Sequence, residues 1–207
     1  MRIQTHNIAQ QFNREVIFKN ITLEMSAPET VAILGGNGSG KSTFLSILSG
    51  KSLPAHGNIT YSHNEIEIPQ EKLYGYISLC APYSAIYEQF TLEELIRFHF
   101  KFKNPVQGIK ASNIPELLSL EKHKSKTIEK YSSGMKQRVK LGLAILSNTP
   151  LLLLDEPFSN LDETNQQFMS SLITEHGKNR LIIICTNHLA NELKLCNRRI
   201  NIEDYKK

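Results

Sequence analysis

Three cysteines in 207 residues, Cys80, Cys185 and Cys196, form no CxxC pair and are too few for a disulfide framework, which fits a reducing compartment. Long apolar runs are also missing. The longest, Leu151 to Leu154 and Leu181 to Cys185, fall far short of the ~18 residues a membrane span needs. The N-terminus alternates apolar and polar residues from Met1 to Gln11 and has no apolar core of a secretory leader, so neither insertion into a bilayer nor export is expected. Lysine and arginine number 24 against 20 acidic residues, and the basic runs at Lys101–Lys103 and Lys122–Lys126 are interrupted. Nucleic-acid binding needs a denser basic face, so it is not expected.

No repeat, low-complexity tract or Pro/Gly-rich linker divides the chain, which reads as one domain over 1–207. With 40% hydrophobic and 21% charged residues it has the composition of a folded globular protein. Ile3 to Ile8 and Ile21 to Met25 alternate as strands, and Thr30 to Leu34 is a β-rich run leading into glycines. A helix is predicted from about Lys41 to Leu48, carried by Phe44, Leu45 and Leu48 and stopped by Gly50. From about 83 to 148 the periodicity is helical, opened by a capping box at Thr91 and Glu94, and predicts an inserted helical subdomain. The leucine run at 151–154 and the isoleucine run at 182–184 have the pattern of strands covered on both faces. The class is therefore α/β, with a mostly parallel sheet, an N-terminal antiparallel β subdomain and a helical insertion.

Gly35-Gly36-Asn37-Gly38-Ser39-Gly40-Lys41-Ser42 fits G-x-x-x-x-G-K-[ST] between a buried strand and a helix. Gly38 and Gly40 allow left-handed backbone, so that N–H groups turn inward as an anion nest at a helix N-terminus. Lys41 then supplies charge to the β- and γ-phosphates and Ser42 a hydroxyl to Mg²⁺, the phosphate-binding stretch running on through Thr43. The leucine run ends in Asp155 and Glu156, at the carboxyl edge of the sheet where open α/β folds bind ligands. Asp155 is the expected Mg²⁺ carboxylate, and Glu156 the base for an attacking water.

Together these segments resemble the ATP-binding cassette (ABC) ATPases, and the resemblance covers nearly the whole chain. Tyr131-Ser132-Ser133-Gly134-Met135-Lys136-Gln137-Arg138 is similar to the family's signature LSGGQ-x-x-R, Ser159-Asn160-Leu161-Asp162 to its D-loop, and Thr186-Asn187-His188 to its switch histidine. Phe12 takes the place of the aromatic residue that stacks on adenine. The resemblance implies ATP and Mg²⁺ as ligands and a second ATPase subunit packed head to tail. Ser132, Ser133 and Gly134 then meet the γ-phosphate across the dimer, His188 meets it within the chain, and Asp162 links the two sites. It also implies a membrane-spanning transporter subunit docked on the helical segment around 83–130, with the chain peripheral on the cytoplasmic face of the inner membrane.

Three departures stand out. Gly36 occupies the place of a frequent proline, and Ser133 and Met135 stand where the motif has its first glycine and its glutamine. After Tyr76-Ile77-Ser78-Leu79 the family usually has a glutamine, whereas this chain reads Cys80-Ala81-Pro82-Tyr83. The resemblance extends to small separately encoded transport ATPases, among them the haem-exporter ATPase of cytochrome c maturation, with no regulatory domain expected after the core. A soluble cassette acting on ribosomes or DNA is the alternative. A phosphate-loop kinase leaves the signature-like segment and His188 unexplained.

Overall fold

The computed structural model describes residues 1–13, 15–187 and 190–206. Among these residues, nine strands form two sheets. In the antiparallel sheet, β1 (Arg2–Phe12) lies between β2 (Glu15–Ser26) and β4 (His56–His63), and β5 (Ile66–Glu67) pairs with β4. The second sheet holds β3 (Glu29–Leu34), β6 (Ile77–Cys80), β7 (Leu151–Asp155), β8 (Leu181–Thr186) and β9 (Arg198–Asn201) in the order β6-β7-β8-β3-β9, every pair parallel.

The leucine and isoleucine runs are buried on both faces, and their alternation divides them between two cores. Leu151, Leu153, Leu181 and Ile183 pack with Ile3, Ile8, Phe18 and Met25 of the antiparallel sheet and with Phe44, Leu45 and Leu48 of α1 (Lys41–Leu48). Leu152, Leu154, Ile182 and Ile184 instead join Val139, Leu141 and Ile145 of α4 (Ser133–Ile145) and Met169 and Leu172 of α5 (Glu163–His176). The parallel sheet is thus the middle layer, and α1 starts where the sequence predicts, at Lys41.

β1 and β2 run beyond the alternating stretches that mark them in the sequence. Irregular pairing between Thr5 and Gln11, with left-handed backbone at Asn7 and Asn20, breaks the period-two pattern while the ladder continues. The segment from 83 to 148 is less helical than its periodicity suggests. Between α2 (Leu92–His99) and α4 lie a single turn, α3 (Ile114–Leu117), with Pro115 in its first turn, and three short 3₁₀ turns, with Pro105 and Gly108 in the irregular stretch after α2. The capping box that opens α2 is complete: Thr91 Oγ1 accepts from the Glu94 N–H at 3.2 Å, and the Thr91 N–H donates to Glu94 Oε2 at 2.8 Å. Among the described residues no helix is long and apolar enough to cross a membrane.

These two features differ in worth. Leu153→Ala removes a fully buried side chain from the middle layer and is expected to cost about 2–5 kcal/mol. Thr91→Ala, at an exposed cap, is expected to cost about 1 kcal/mol. Urea unfolding midpoints of the two variants check the order.

Candidate active site

The carboxyl ends of β3, β7 and β8 lie side by side, so the loops leaving them meet over one cavity. It measures about 420 Å³ and is lined by Asn37, Gly38, Ser39, Gly40, Lys41, Ser42 and Thr43 of the glycine loop, by Glu156 after β7 and by Ile17 of β2. Gly38 and Gly40 both adopt left-handed backbone, with φ 73° and 102°. A Cβ at Gly40 would come within 2.5 Å of the Ile17 side chain, so that residue needs glycine for space as well as for conformation. Among the described residues the buried Ser39 hydroxyl has no hydrogen-bond partner. Gly36, in the place of a proline, keeps an N–H, which donates to Glu203 Oε1 at 3.1 Å.

Lys41 is almost fully buried, and its ammonium donates to the carbonyls of Gly35 (2.8 Å) and Gly36 (2.9 Å) and to Asn187 Oδ1 (2.5 Å). Asp155 closes β7 with both carboxylate oxygens buried and without a partner in hydrogen-bonding geometry. Burial raises its carboxyl above the ordinary aspartate value, and the neighbouring Glu156 adds to this, while the nearby Ser42 hydroxyl and the Lys41 charge oppose it. Two orphaned oxygens beside a serine hydroxyl fit Mg²⁺, which takes one or two protein ligands and leaves its other positions to water and phosphate. Glu156 has left-handed backbone at φ 46°, an unusual state for a side-chain-bearing residue. Its N–H donates to Cys185 O at 2.9 Å, and its Oε1 accepts from Asn187 Nδ2 at 2.7 Å.

The other predicted residues lie elsewhere. Ser132 caps α4, its hydroxyl accepting from the Met135 N–H at 3.2 Å, with Ser133 and Gly134 in the first turn. A Cβ on Gly134 would stand 3.0 Å from Asn160 O, so the signature-like segment abuts the 159–162 loop. Asp162 caps α5, accepting from the Asn165 N–H at 2.8 Å. Phe12, at the end of β1, is more than half exposed and does not line the cavity. His188 lies outside the described residues.

Sequence reasoning missed three residues that hold the site. Asn187 joins Lys41, Glu156 and Asn37 through one amide. Glu192 is fully buried in α6 (Ala190–Leu193) and accepts the Phe158 N–H at 3.0 Å. Its carboxyl is raised by burial and held back by hydrogen bonds from Thr186 and Phe158. Gln137 donates to Pro157 O at 2.8 Å, tying α4 to the turn after Glu156. Of these, Asn187 and Gln137 had a signal in the sequence, as amides inside the quoted switch and signature-like motifs, and Glu192 had none.

The sequence matches a family model described as ABC transporter over residues 18–159, more than half of the chain. The chain belongs to the ABC transporter family. It is 28% identical to the linearmycin resistance ATP-binding protein LnrL of Bacillus subtilis (strain 168), over 98% of this chain and 66% of that protein. The uncharacterized ABC transporter ATP-binding protein YcbN of the same organism is 27% identical over 93% of this chain and 63% of its own length. The mouse ABC-type organic anion transporter ABCA8B is 29% identical over 98% of this chain, which spans 13% of it. The chain therefore spans two thirds or less of these relatives. A putative ABC transporter ATP-binding protein from Pyrococcus furiosus superimposes with TM-score 0.82 at 21% identity, each chain covered in full. An ATP-binding cassette solved as a dimer in a post-hydrolysis state with ADP and Pi gives TM-score 0.83 at 21% identity over 98% of this chain and 94% of that one. The fold is that of the ABC cassettes, with a parallel-sheet core and an antiparallel β layer.

Burying Asp155 without a partner destabilises the metal-free fold. Its raised carboxyl means that stability falls as pH rises from the ordinary aspartate range through the folded value, because the folded chain holds that proton more tightly. Asp155→Asn is expected to stabilise the chain in EDTA at neutral pH by about 1 kcal/mol or more and to abolish the added stability that Mg²⁺ and ATP confer on the wild type. Thermal melts with and without Mg²⁺-ATP check both.

Proposed function

We propose that this chain is an ATP-hydrolysing cassette that closes with a second copy around ATP and energises a membrane-spanning partner. The observation carrying this reading is that Glu156 lines the same cavity as Lys41 and Ser42, with the orphaned Asp155 carboxylate beside it. A phosphate cradle, a metal carboxylate and a base thus converge.

The backbone N–H groups from Gly38 to Thr43 and the Lys41 ammonium hold the ATP phosphates, and Phe12 packs on the adenine. Ser42 and Asp155 hold Mg²⁺. When bound, the metal neutralises charge on the β- and γ-phosphates. Glu156 orients a water and takes its proton as the water oxygen bonds to the γ-phosphorus. The bridging oxygen–phosphorus bond breaks and ADP leaves with the electron pair, giving ADP and phosphate. Ser132, Ser133 and Gly134, remote from this chain's own cavity, reach the γ-phosphate of the partner cassette, while Asp162 links the two sites. His188 contacts the γ-phosphate from within the chain. Closed and open dimers then differ in their affinity for ATP, which makes hydrolysis a switch.

The docking face is the helical segment. Tyr87, Phe90, Phe98 and Phe102 form a continuous aromatic ladder with successive ring centroids 5.2–5.7 Å apart, and Tyr87 and Phe102 are 55% and 69% exposed. Open aromatic surface of this kind suits a protein partner. Association at the cytoplasmic face of a membrane follows from such a partner, without insertion of this chain.

Lys41→Ala is expected to abolish Mg²⁺-ATP turnover. Glu156→Gln is expected to cut it by about 100-fold or more and to accumulate an ATP-bound dimer on size-exclusion chromatography. Wild-type turnover in Glu156→Gln removes Glu156 as the base. Tagged Glu156→Gln chain in Mg²⁺-ATP is also expected to co-purify a multi-span membrane protein from gently solubilised membranes; ribosomal or DNA-processing proteins in its place would assign the switch to a soluble machine.

A further inference from the structure

We infer that Asn187 is a positioning residue for hydrolysis: its amide aims Glu156 and occupies Lys41 until phosphate arrives. The inference rests on the proposed ATPase reading and names a device within it. Asn187 directly follows β8, the strand between those that deliver the glycine loop and the two acids. Its Nδ2 donates to Glu156 Oε1 at 2.7 Å and to Asn37 Oδ1 at 2.7 Å, while its Oδ1 accepts from Lys41 at 2.5 Å. One side chain therefore touches the base, the lysine and the rim of the phosphate loop.

The two ends of that amide do different work. An N–H pointed at one oxygen of Glu156 fixes the rotation of its carboxylate and leaves the other oxygen for water. A base held this way keeps its near-attack geometry, and losing about an ångström of alignment costs about 100-fold in rate. The carbonyl end, with the Gly35 and Gly36 carbonyls, supplies the oxygens around an ammonium that is almost fully buried and, among the described residues, has no carboxylate bonded to it. Phosphate oxygens compete for the same ammonium, so nucleotide binding displaces the Asn187 carbonyl while its N–H stays on Glu156. Asn187 is exposed and outside the hydrophobic cores, so removing it tests positioning rather than packing.

Asn187→Ala separates the two functions. Single-turnover hydrolysis of γ-labelled ATP is expected to slow by about 10- to 100-fold, while affinity for a fluorescent trinitrophenyl ATP analogue stays the same or tightens by up to about threefold, the Lys41 competitor being gone. Asn187→Asp keeps an acceptor for Lys41 but sets a negative charge beside Glu156 and the phosphates. It is expected to slow turnover equally and to weaken analogue binding by about tenfold. Asn187→Ala turning over within twofold of the wild type overturns the inference. So does a turnover loss matched by an equal loss of affinity or by a fall in melting temperature, since both report a damaged fold. A wild-type chain that binds no ATP overturns the reading beneath it, whereas wild-type hydrolysis with an unaltered Asn187→Ala variant overturns the positioning role alone.

Discussion

The register of three parallel strands determines everything at the carboxyl edge of this molecule. β8 lies between β7 and β3, with Leu34 opposite Thr186 and Asp155 opposite Cys185. Strands in a sheet are about 4.8 Å apart, so the ends of β3 and β7, which carry the glycine loop and the acid pair, are separated by about 10 Å, with the end of β8 between them. The geometry holds because each strand divides its apolar residues between two different cores. A one-residue slip would turn Leu151 and Leu153 from the α1 layer toward the α4 and α5 layer and misfit both sides at once. Packing thus sets the distance at which a phosphate can be gripped on one side and attacked on the other.

That edge holds unfavourable charge. Among the described residues, Asp155 is buried with no partner in hydrogen-bonding geometry, Glu156 sits in left-handed backbone, and Glu192 is buried with one oxygen unpartnered. Glu156 adds to the upward shift of Asp155, and both add to that of Glu192, in each case after burial. Strain and desolvated charge of this kind collect at functional sites because the surrounding core holds them in place. Gln137 and Glu192 supply that support, the first by a bond to Pro157 O and the second by one from Phe158 N–H, so the turn after the acids is held from both α4 and α6.

The amino-acid sequence reveals what is local. The phosphate loop, the α1 boundaries, the Thr91 capping box and the acid pair each lie within about ten residues and carry their own stereochemical reasons. The antiparallel layer is legible only in part, because Asn7 and Asn20 break the alternation that would mark its full length. The helical segment misleads for a related reason: apolar spacing persists through stretches where proline and glycine permit only single turns. Asn187, Glu192 and Gln137 depend on strand order and helix docking, which bring together residues 20 to 146 positions apart. The Gly36 N–H finds Glu203 across 167 positions, a pairing no motif predicts.

The same geometry bears on the proposed dimer. The cavity over Lys41 is walled by the glycine loop, Glu156 and Ile17, and nothing from the signature-like segment lines it. Ser132 and Gly134 instead open α4, where a Cβ on Gly134 would fit only tightly beside Asn160 O. The start of that helix therefore packs directly against the loop that leads to Asp162. In the proposed head-to-tail dimer, this pair of segments would travel as one body onto the partner's γ-phosphate, carrying a positive helix end toward negative charge. In that dimer, loss of the phosphate would remove the attraction that draws this pair of segments onto the partner cassette, and the change would be felt first at the loop they share, which leads from Glu156 to Asp162.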